Sequence, residues 1–320
     1  MDLSYIVPVF NVEQYISKCI ESLFCQGLDE ECFEVIIVND GTKDRSMEIV
    51  SDFVRHHSNI IVVNQENQGL SVARNNGLAY ARGRYVMFVD SDDFLIDNSL
   101  SLMLPLVLDN SADMFIADFK KMTDKEIEQF RFCHENIVCK PSLMKGREAF
   151  LKSFDPLQCY IWRTIYRRGF LEENRLSFIP NIYFEDVPFT IECYLRVEKA
   201  VSFPLPFYVY RQHHSSIVSS VNRKKLLDIN QVIAYLWKML GTEVLSKDDY
   251  RKLLDAIFAT FSIEMWYLSH EKEVFPYRKE IIGDLKKKVP GLCFRGGTKQ
   301  RIVSYFYKWM PYTYLWIRSF

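Results

Sequence analysis

Three carboxylates within four positions, Asp90-Ser91-Asp92-Asp93, follow an unbroken apolar run, Val86-Met87-Phe88-Val89. Carboxylates packed that closely repel one another and raise each other's pKa. A divalent cation with oxygen preference, Mg²⁺ or Mn²⁺, relieves that repulsion and leaves coordination positions for phosphate oxygens. A solvated acidic turn is the other use of such a string, although a turn needs no buried strand to deliver it. Asp40 ends a second apolar run, and Gly41 after it suits a sharp turn into a helix opened by Thr42 or Asp44. Capping and turning would by themselves account for Asp40 and Asp44. A third acidic point, Glu185-Asp186, closes the run Ile182-Tyr183-Phe184 just before a helical pattern. Asp186 there is either an N-cap, with Pro188 tolerated in the first turn, or a general base. The adjacent His213 and His214 lack a second cluster of metal ligands and read as polar loop residues.

These groups need elements to position them. Apolar runs at Leu3 to Phe10, Phe33 to Val38, Ile60 to Val63 and Tyr85 to Val89 read as strands. Helical periodicity follows between them, from Val12 with Asn11 as N-cap, at Arg45 to Val54 and at Leu70 to Ala81. Strands alternating with helices imply βαβ units and a mostly parallel sheet covered on both faces. Ligands of such sheets bind outside the carboxyl ends of the strands, where Phe10-Asn11, Asp40, Asn64 to Gly69 and Asp90 to Asp93 all fall. Beyond Phe94 the pattern loosens to a helix near Ser99 to Leu108, a strand near Met114 to Phe119, a polar stretch from Lys120 to Lys140 and a helix near Arg147. From Arg223 the chain reads as all helical, so the expected division is a catalytic domain over 1–220 and a helical region over 221–320.

Four blocks carry a resemblance. Ser4-Tyr5-Ile6-Val7-Pro8-Val9-Phe10-Asn11, Val38-Asn39-Asp40-Gly41-Thr42-Lys43-Asp44, Asn67 to Gly77 and Phe88 to Asp93 resemble, in order and spacing, the blocks of family 2 glycosyltransferases. The likeness is close over residues 3 to about 97 and weaker to about 217. It implies the GT-A fold, an α/β Rossmann-like sheet, and a nucleotide-sugar donor, with UDP the expected nucleotide. On it, Pro8, Val9, Phe10, Asp40, Arg74, Asp90, Ser91 and Arg211 are expected around the nucleotide sugar. Asp40 would accept from the uracil N–H, and Arg74 would lie near the diphosphate. Asp92, with Asp90, would hold Mn²⁺ or Mg²⁺, and Asp186 matches the family's general base. Tyr208-Val209-Tyr210-Arg211 is similar to a further block whose loop would set Arg211 or a following histidine against the diphosphate. Trp162-Arg163-Thr164 departs from the family's usual pattern and leaves an acceptor-side role for Trp162 open. Phe10 stands where Tyr is common, and a ring is kept.

Competing classes fail on particular residues. A nucleotidyltransferase wants a glycine-rich basic loop after the first strand, and a dinucleotide-dependent dehydrogenase wants G-x-G-x-x-G there. Pro8-Val9-Phe10-Asn11 offers neither. A chain-elongating synthase would carry Q-x-x-R-W and membrane spans, so one sugar per transfer is expected. A non-catalytic sugar-nucleotide binder is disfavoured by the presence of Asp90, Asp92, Asp186 and Arg74 together. The acceptor is expected to be a glycan or lipid-linked glycan of bacterial surface-polysaccharide assembly.

Composition sets the outer bounds. The 320 residues are 48% apolar and carry a net charge of −1, which excludes disorder and a uniformly basic nucleic-acid binder. Eight cysteines without a C-x-x-C pair read as reduced core residues of a cytoplasmic protein. Neither a signal peptide nor a membrane span is expected. Residues 285–320 hold eight basic residues and no acidic one, so +8 sits there and −9 on the remainder. With Tyr305, Trp309 and other rings interleaved, that segment suits either an anionic membrane surface or a packed terminal helix with a solvated basic face. The first alternative would make the enzyme peripheral on the inner face of the cytoplasmic membrane.

Overall fold

The computed structural model describes residues 1–130, 140–213, 221–294, 297–311, 313 and 315. Two compact units are distinguished: Met1–Ala149 with Tyr160–Asn181 and Glu192–His214, and Phe150–Cys159 with Ile182–Ile191 and Ser215–Phe320.

The first unit is built on one nine-stranded sheet: β1 (Leu3–Val9), β2 (Phe33–Asn39), β3 (Ile60–Asn64), β4 (Tyr85–Phe88), β5 (Phe94–Leu95), β6 (Met114–Thr123), β7 (Ser142–Lys145), β8 (Thr164–Arg167) and β9 (Lys199–Gln212). Their order is β3-β2-β1-β4-β8-β6-β9-β5, with β7 also pairing β9. The first four strands are parallel, as their nearly continuous apolar runs suggest, and every residue of β1 is buried. Beyond β4 the sheet becomes mixed: β8 is antiparallel to β4 and β6, whereas β6 and β9 run parallel.

Helices α1 (Ile16–Phe24), α2 (Ser46–His56) and α4 (Ser99–Asn110) pack their buried faces on one side, where Ile20, Val50 and Met103 join Tyr5 and Val7 in the core. On the other side α3 (Leu70–Tyr80) approaches so closely that a Cβ at Gly77 would lie 2.4 Å from Ile6 Cγ2. Asn11 does not cap the first helix. It adopts φ 54°, its Oδ1 accepts from Lys43 N–H at 3.2 Å, and α1 begins after Tyr15 with no side-chain cap. The polar stretch after Lys120 continues β6 and forms α5 (Asp124–Gln129), opened by a Thr123–Glu126 capping box. Three short helices follow: α6 (Glu148–Ser153), α7 (Arg168–Glu173) and α8 (Asp186–Arg196).

The second unit contains α9 (Arg223–Thr242), α10 (Lys247–His270), α11 (Arg278–Lys288) and α12 (Thr298–Trp309). Leu226, Ile229, Ile233 and Leu236 form the buried face of α9 that their spacing predicts. Ser246 and Asp249 make the capping box that starts α10. Helix α12 is packed on one side, with Val303, Ser304 and Tyr307 buried, and open on the other. Among the described cysteines Cys19, Cys159 and Cys193 are buried, but Cys25 and Cys293 are exposed, which corrects their reading as core residues. Cys133 and Cys139 lie outside the described residues. No helix of the described residues is long and apolar enough to cross a membrane.

One buried charge in α10 stands out. Glu264 is fully buried, neither carboxylate oxygen has a hydrogen-bond partner among the described residues, and burial pushes its pKa well up, with Asp284 adding to the rise. A carboxyl whose folded pKa is raised supports folding below the unfolded value and loses that support as pH rises toward the folded one. Glu264→Gln is therefore expected to raise the unfolding midpoint at pH 8 and to change it little near pH 4; thermal melts across that range check the sign.

Candidate active site

Strands β1, β2 and β4 pair in parallel, so their carboxyl ends share one edge of the sheet, and that edge is acidic. The turn after β4 carries Asp90, Ser91, Asp92 and Asp93. The two-residue β5 then pairs with β9, Phe94 opposite Val209 and Leu95 opposite Tyr208, which pins this turn against β9. Each carboxylate meets a different partner. Asp90 Oδ1 accepts from Arg74 Nη2 at 2.7 Å, with the Arg74 guanidinium 5.5 Å over the Phe178 ring. Asp93, almost fully buried, accepts from the Tyr208 hydroxyl at 2.9 Å and from Arg211 N–H at 2.8 Å. The backbone N–H of Asp90 in turn donates to the Tyr208 oxygen.

Asp92 Oδ2 lies 2.9 Å from His213 Nε2, within hydrogen-bond distance, and the His213 ring packs on Tyr15 at 4.5 Å. The sequence reading gave His213 to an ordinary polar loop. Its signal was proximity to the Tyr208-Val209-Tyr210-Arg211 block, whose strand β9 carries it to the acidic turn. His214 lies outside the described residues. Burial raises the Asp92 pKa, the Asp90 charge raises it further, and His213 opposes both. Asp93 is pushed well up by burial and then by Asp92 and Asp90.

Asp40 is buried at the end of β2, and both of its oxygens are engaged. Oδ1 accepts from Gln65 Nε2 at 2.8 Å and Gln68 N–H at 2.7 Å, while Oδ2 accepts from Gly69 N–H at 2.9 Å. Asp40 thus shapes the loop that opens α3, the helix bearing Arg74. Gly41 permits this turn with φ 70° and with Asn67 N only 3.0 Å from where a Cβ would sit. Asp44 does not occupy the cap position of α2, which is Arg45 and has no side-chain cap; its carboxylate accepts from Ser46 N–H at 3.1 Å and from Glu13 N–H at 2.8 Å, tying two loops together. Pro8 and Val9 are buried in β1, and Phe10 stands 42% exposed at the strand's end, open to a planar ligand. Ser91 is buried.

Arg211, expected at the diphosphate, and Trp162, whose acceptor-side role the sequence leaves open, both have partners within the protein. The Arg211 guanidinium donates to Asp124 Oδ1 at 2.9 Å and lies 5.0 Å over the Tyr15 ring. Trp162 is buried and stacks on Tyr208 at 4.3 Å and 6° between planes, so it supports the tyrosine that holds Asp93. Asp186 belongs to the second unit, where it is the first residue of α8 behind Phe184 at φ 62°.

Carboxylates and an imidazole are a donor set suited to Mg²⁺ or Mn²⁺, and burial together with the Asp90 charge, which raise the Asp92 pKa, are what a cation would offset. Among the described residues no three such side chains converge into a closed cage.

A sheet of this kind, with carboxylates gathered at the ends of its parallel strands, defines an α/β enzyme whose ligand crevice lies along that edge. The model of glycosyl transferase family 2 matches residues 4–174, and the chain belongs to this family; it is a glycosyltransferase. The uncharacterized glycosyltransferase EpsJ of Bacillus subtilis is 35% identical over 67% of this chain and 62% of its own length. EpsH of the same organism is 30% identical over 85% of this chain and 80% of its own. The structure of Staphylococcus aureus TarS 1-349 in complex with UDP-GlcNAc superposes with a TM-score of 0.70 at 22% identity, covering 91% of this chain and 82% of that one; it shares the GT-A fold.

The Asp40 contacts set a test. Asn at this position keeps the shape but turns one acceptor into a donor facing N–H groups, so Asp40→Asn should cost about 1–3 kcal/mol of stability. Urea unfolding of the two proteins measures it, and an unchanged midpoint would show that these contacts do not hold the loop.

Proposed function

We propose that the chain transfers a single sugar, with inversion, from a UDP-sugar to a hydroxyl of a glycan or lipid-linked glycan acceptor during surface-polysaccharide assembly. The observation that carries this reading is the acidic turn after β4, where Asp90 and Asp92 are each met by a basic side chain, Arg74 and His213. In the proposed complex Phe10 packs against the base, Pro8 and Val9 form the floor beneath it, and Asp40 lies at the uracil edge. Asp90 and Ser91 face the ribose. Asp92 principally, with Asp90 and His213 beside it, holds Mn²⁺ or Mg²⁺. Bound there, the cation supplies Lewis-acid stabilisation of the charge that develops on the leaving diphosphate. Arg74 holds the Asp90 carboxylate in place, and the backbone N–H of Arg211 holds the Asp93 carboxylate.

Asp186 accepts the proton of the acceptor hydroxyl as it attacks C1 on the face opposite the diphosphate. One catalytic carboxylate is enough, because the diphosphate needs no protein acid to leave. An α-linked donor then gives a β-linked product. We also place the enzyme on the inner face of the cytoplasmic membrane, held through residues 285–320 beside a lipid-linked acceptor.

A screen of UDP-sugars with Mn²⁺, Mg²⁺ or EDTA, reading release of nucleoside diphosphate, tests this. Turnover should need the metal and return when Mn²⁺ is restored after EDTA. Asp92→Ala should lower kcat on the order of 10²–10³-fold, the size of losing one preorganised electrostatic stabiliser. Asp186→Asn should lower it by roughly 10²–10⁴-fold with little change in donor KM. Metal-independent turnover removes the metal role, and full activity of the Asn variant removes the base.

A further inference from the structure

The outer face of α12 is graded in chemistry. At 3.6 residues per turn, Lys308 and Arg301 fall on one edge, Tyr305 in the middle, and Trp309 and Ile302 on the other edge of an arc of about 120°. All five are exposed, with Ile302 at 51%, Tyr305 at 60% and Trp309 at 64%. The apolar three stand at i, i+3 and i+7, a contiguous stripe rather than scattered surface residues. Opposite them, Val303, Ser304 and Tyr307 are buried, and the Ser304 hydroxyl accepts from Phe294 N–H at 2.7 Å, so the helix is anchored from behind.

A cavity of about 800 Å³ opens beside this face. Val289, Leu292 and Phe294 contribute apolar lining, and Lys286, Arg301 and Lys308 contribute charge. The Lys308 ammonium sits 4.7 Å from the Trp309 ring centre and the Lys286 ammonium 5.5 Å from that of Tyr307, so the cations ride on the rings with their heads free to turn outward. No acidic residue occurs anywhere in 285–320.

We infer that α12 lies in the surface of an anionic phospholipid bilayer, with Tyr305, Trp309 and Ile302 at headgroup and upper acyl depth and with Arg301, Lys308 and Lys286 on lipid phosphates. The cavity beside the helix receives part of one such lipid. This rests on the membrane placement proposed above and assigns it to an element and to a lipid charge. Charge decides against a second copy of the chain as the occupant, because a symmetric pairing of this face would set cations against cations. A bilayer supplies both what the stripe lacks, an apolar medium, and what its edge lacks, negative charge.

Sedimentation of the full chain with vesicles tests it, using phosphatidylcholine alone and phosphatidylcholine mixed with phosphatidylglycerol. The wild type should bind the mixed vesicles, release with salt, and bind the neutral ones at least about tenfold more weakly. The outward pairs Arg301→Glu/Lys308→Glu and Ile302→Ser/Trp309→Ser should each weaken binding about tenfold or more while melting like the wild type. Lys272→Glu/Lys279→Glu, an equal charge reversal elsewhere in the second unit, should bind as the wild type does. If the wild type ignores the mixed vesicles, the membrane placement itself falls. If it binds and both α12 pairs bind equally well, only the assignment to α12 falls. Nucleoside diphosphate release with a soluble acceptor, measured on the same proteins, reports on the transferase reading separately.

Discussion

Three carboxylates on one turn behind a buried strand cannot stay charged and close without counterparts, and much of the first unit is arranged to supply them. Helix α3 brings Arg74 to Asp90, and strand β9 brings the Tyr208 hydroxyl and the Arg211 N–H to Asp93 and leads on to His213 at Asp92. Strand β9 lies three places from β4 in the sheet, so it reaches the acidic turn only because β5, directly after Asp93, pairs with it. A two-residue strand is thereby more than an ornament of the edge. Remove its pairing and the groups that make Asp93 tolerable in the interior are no longer aligned with it.

The rest of the rim is tied by the same device, a strand-end side chain that accepts backbone N–H groups from the next loop. Asp40 gathers Gln68 and Gly69, Asp44 gathers Glu13 and Ser46, and Asn11 accepts from Lys43. Such contacts satisfy loop N–H groups that no ladder reaches, and they fix the loops to one another rather than to solvent. The tight seat of α3 on β1 at Gly77 completes the frame, since Arg74 lies one turn before it and inherits its position. The crevice edge is therefore formed before any ligand arrives.

What could be read from the sequence follows from how local each cause is. The four parallel strands and their helices were legible because strands buried on both faces read as nearly continuous apolar runs; the buried exceptions in β1 and β2, Ser4 and Glu34, bond each other, and Glu34 also bonds Arg82. Helix ends were legible to within about two residues, except the start of α1, expected at Val12 and found at Ile16. The short strands β5, β7 and β8 were not, because runs of two to four residues carry no period, and the 14-residue β9 contains Pro204 and Pro206, which argue locally against a strand. Asn11 misled because Asn suits both an N-cap and a left-handed turn, and only the distant Lys43 decides between them. His213 was legible only as a neighbour of the Tyr208-Val209-Tyr210-Arg211 block, because its partner Asp92 lies 121 positions away in the chain.

Asp186 illustrates how strain can weigh where periodicity does not. A cap needs only a polar residue with ordinary extended backbone, which any Asp before a helix provides. Here the approach to the helix passes through Phe184 at φ 62°, a region that costs a bulky L-residue on the order of 1–2 kcal/mol. The surroundings hold that geometry: Tyr183 N–H donates to Asp228 Oδ2 at 3.0 Å, Asp228 accepts from Lys224 at 2.6 Å, and Val187 N–H returns to the Phe184 carbonyl. Strain that is locked by an ion-paired carboxylate two helices along the chain is strain that the fold maintains rather than tolerates. A cap alone would not need that expenditure; under the base role proposed for Asp186, it would fix the angle at which the carboxylate meets a hydroxyl.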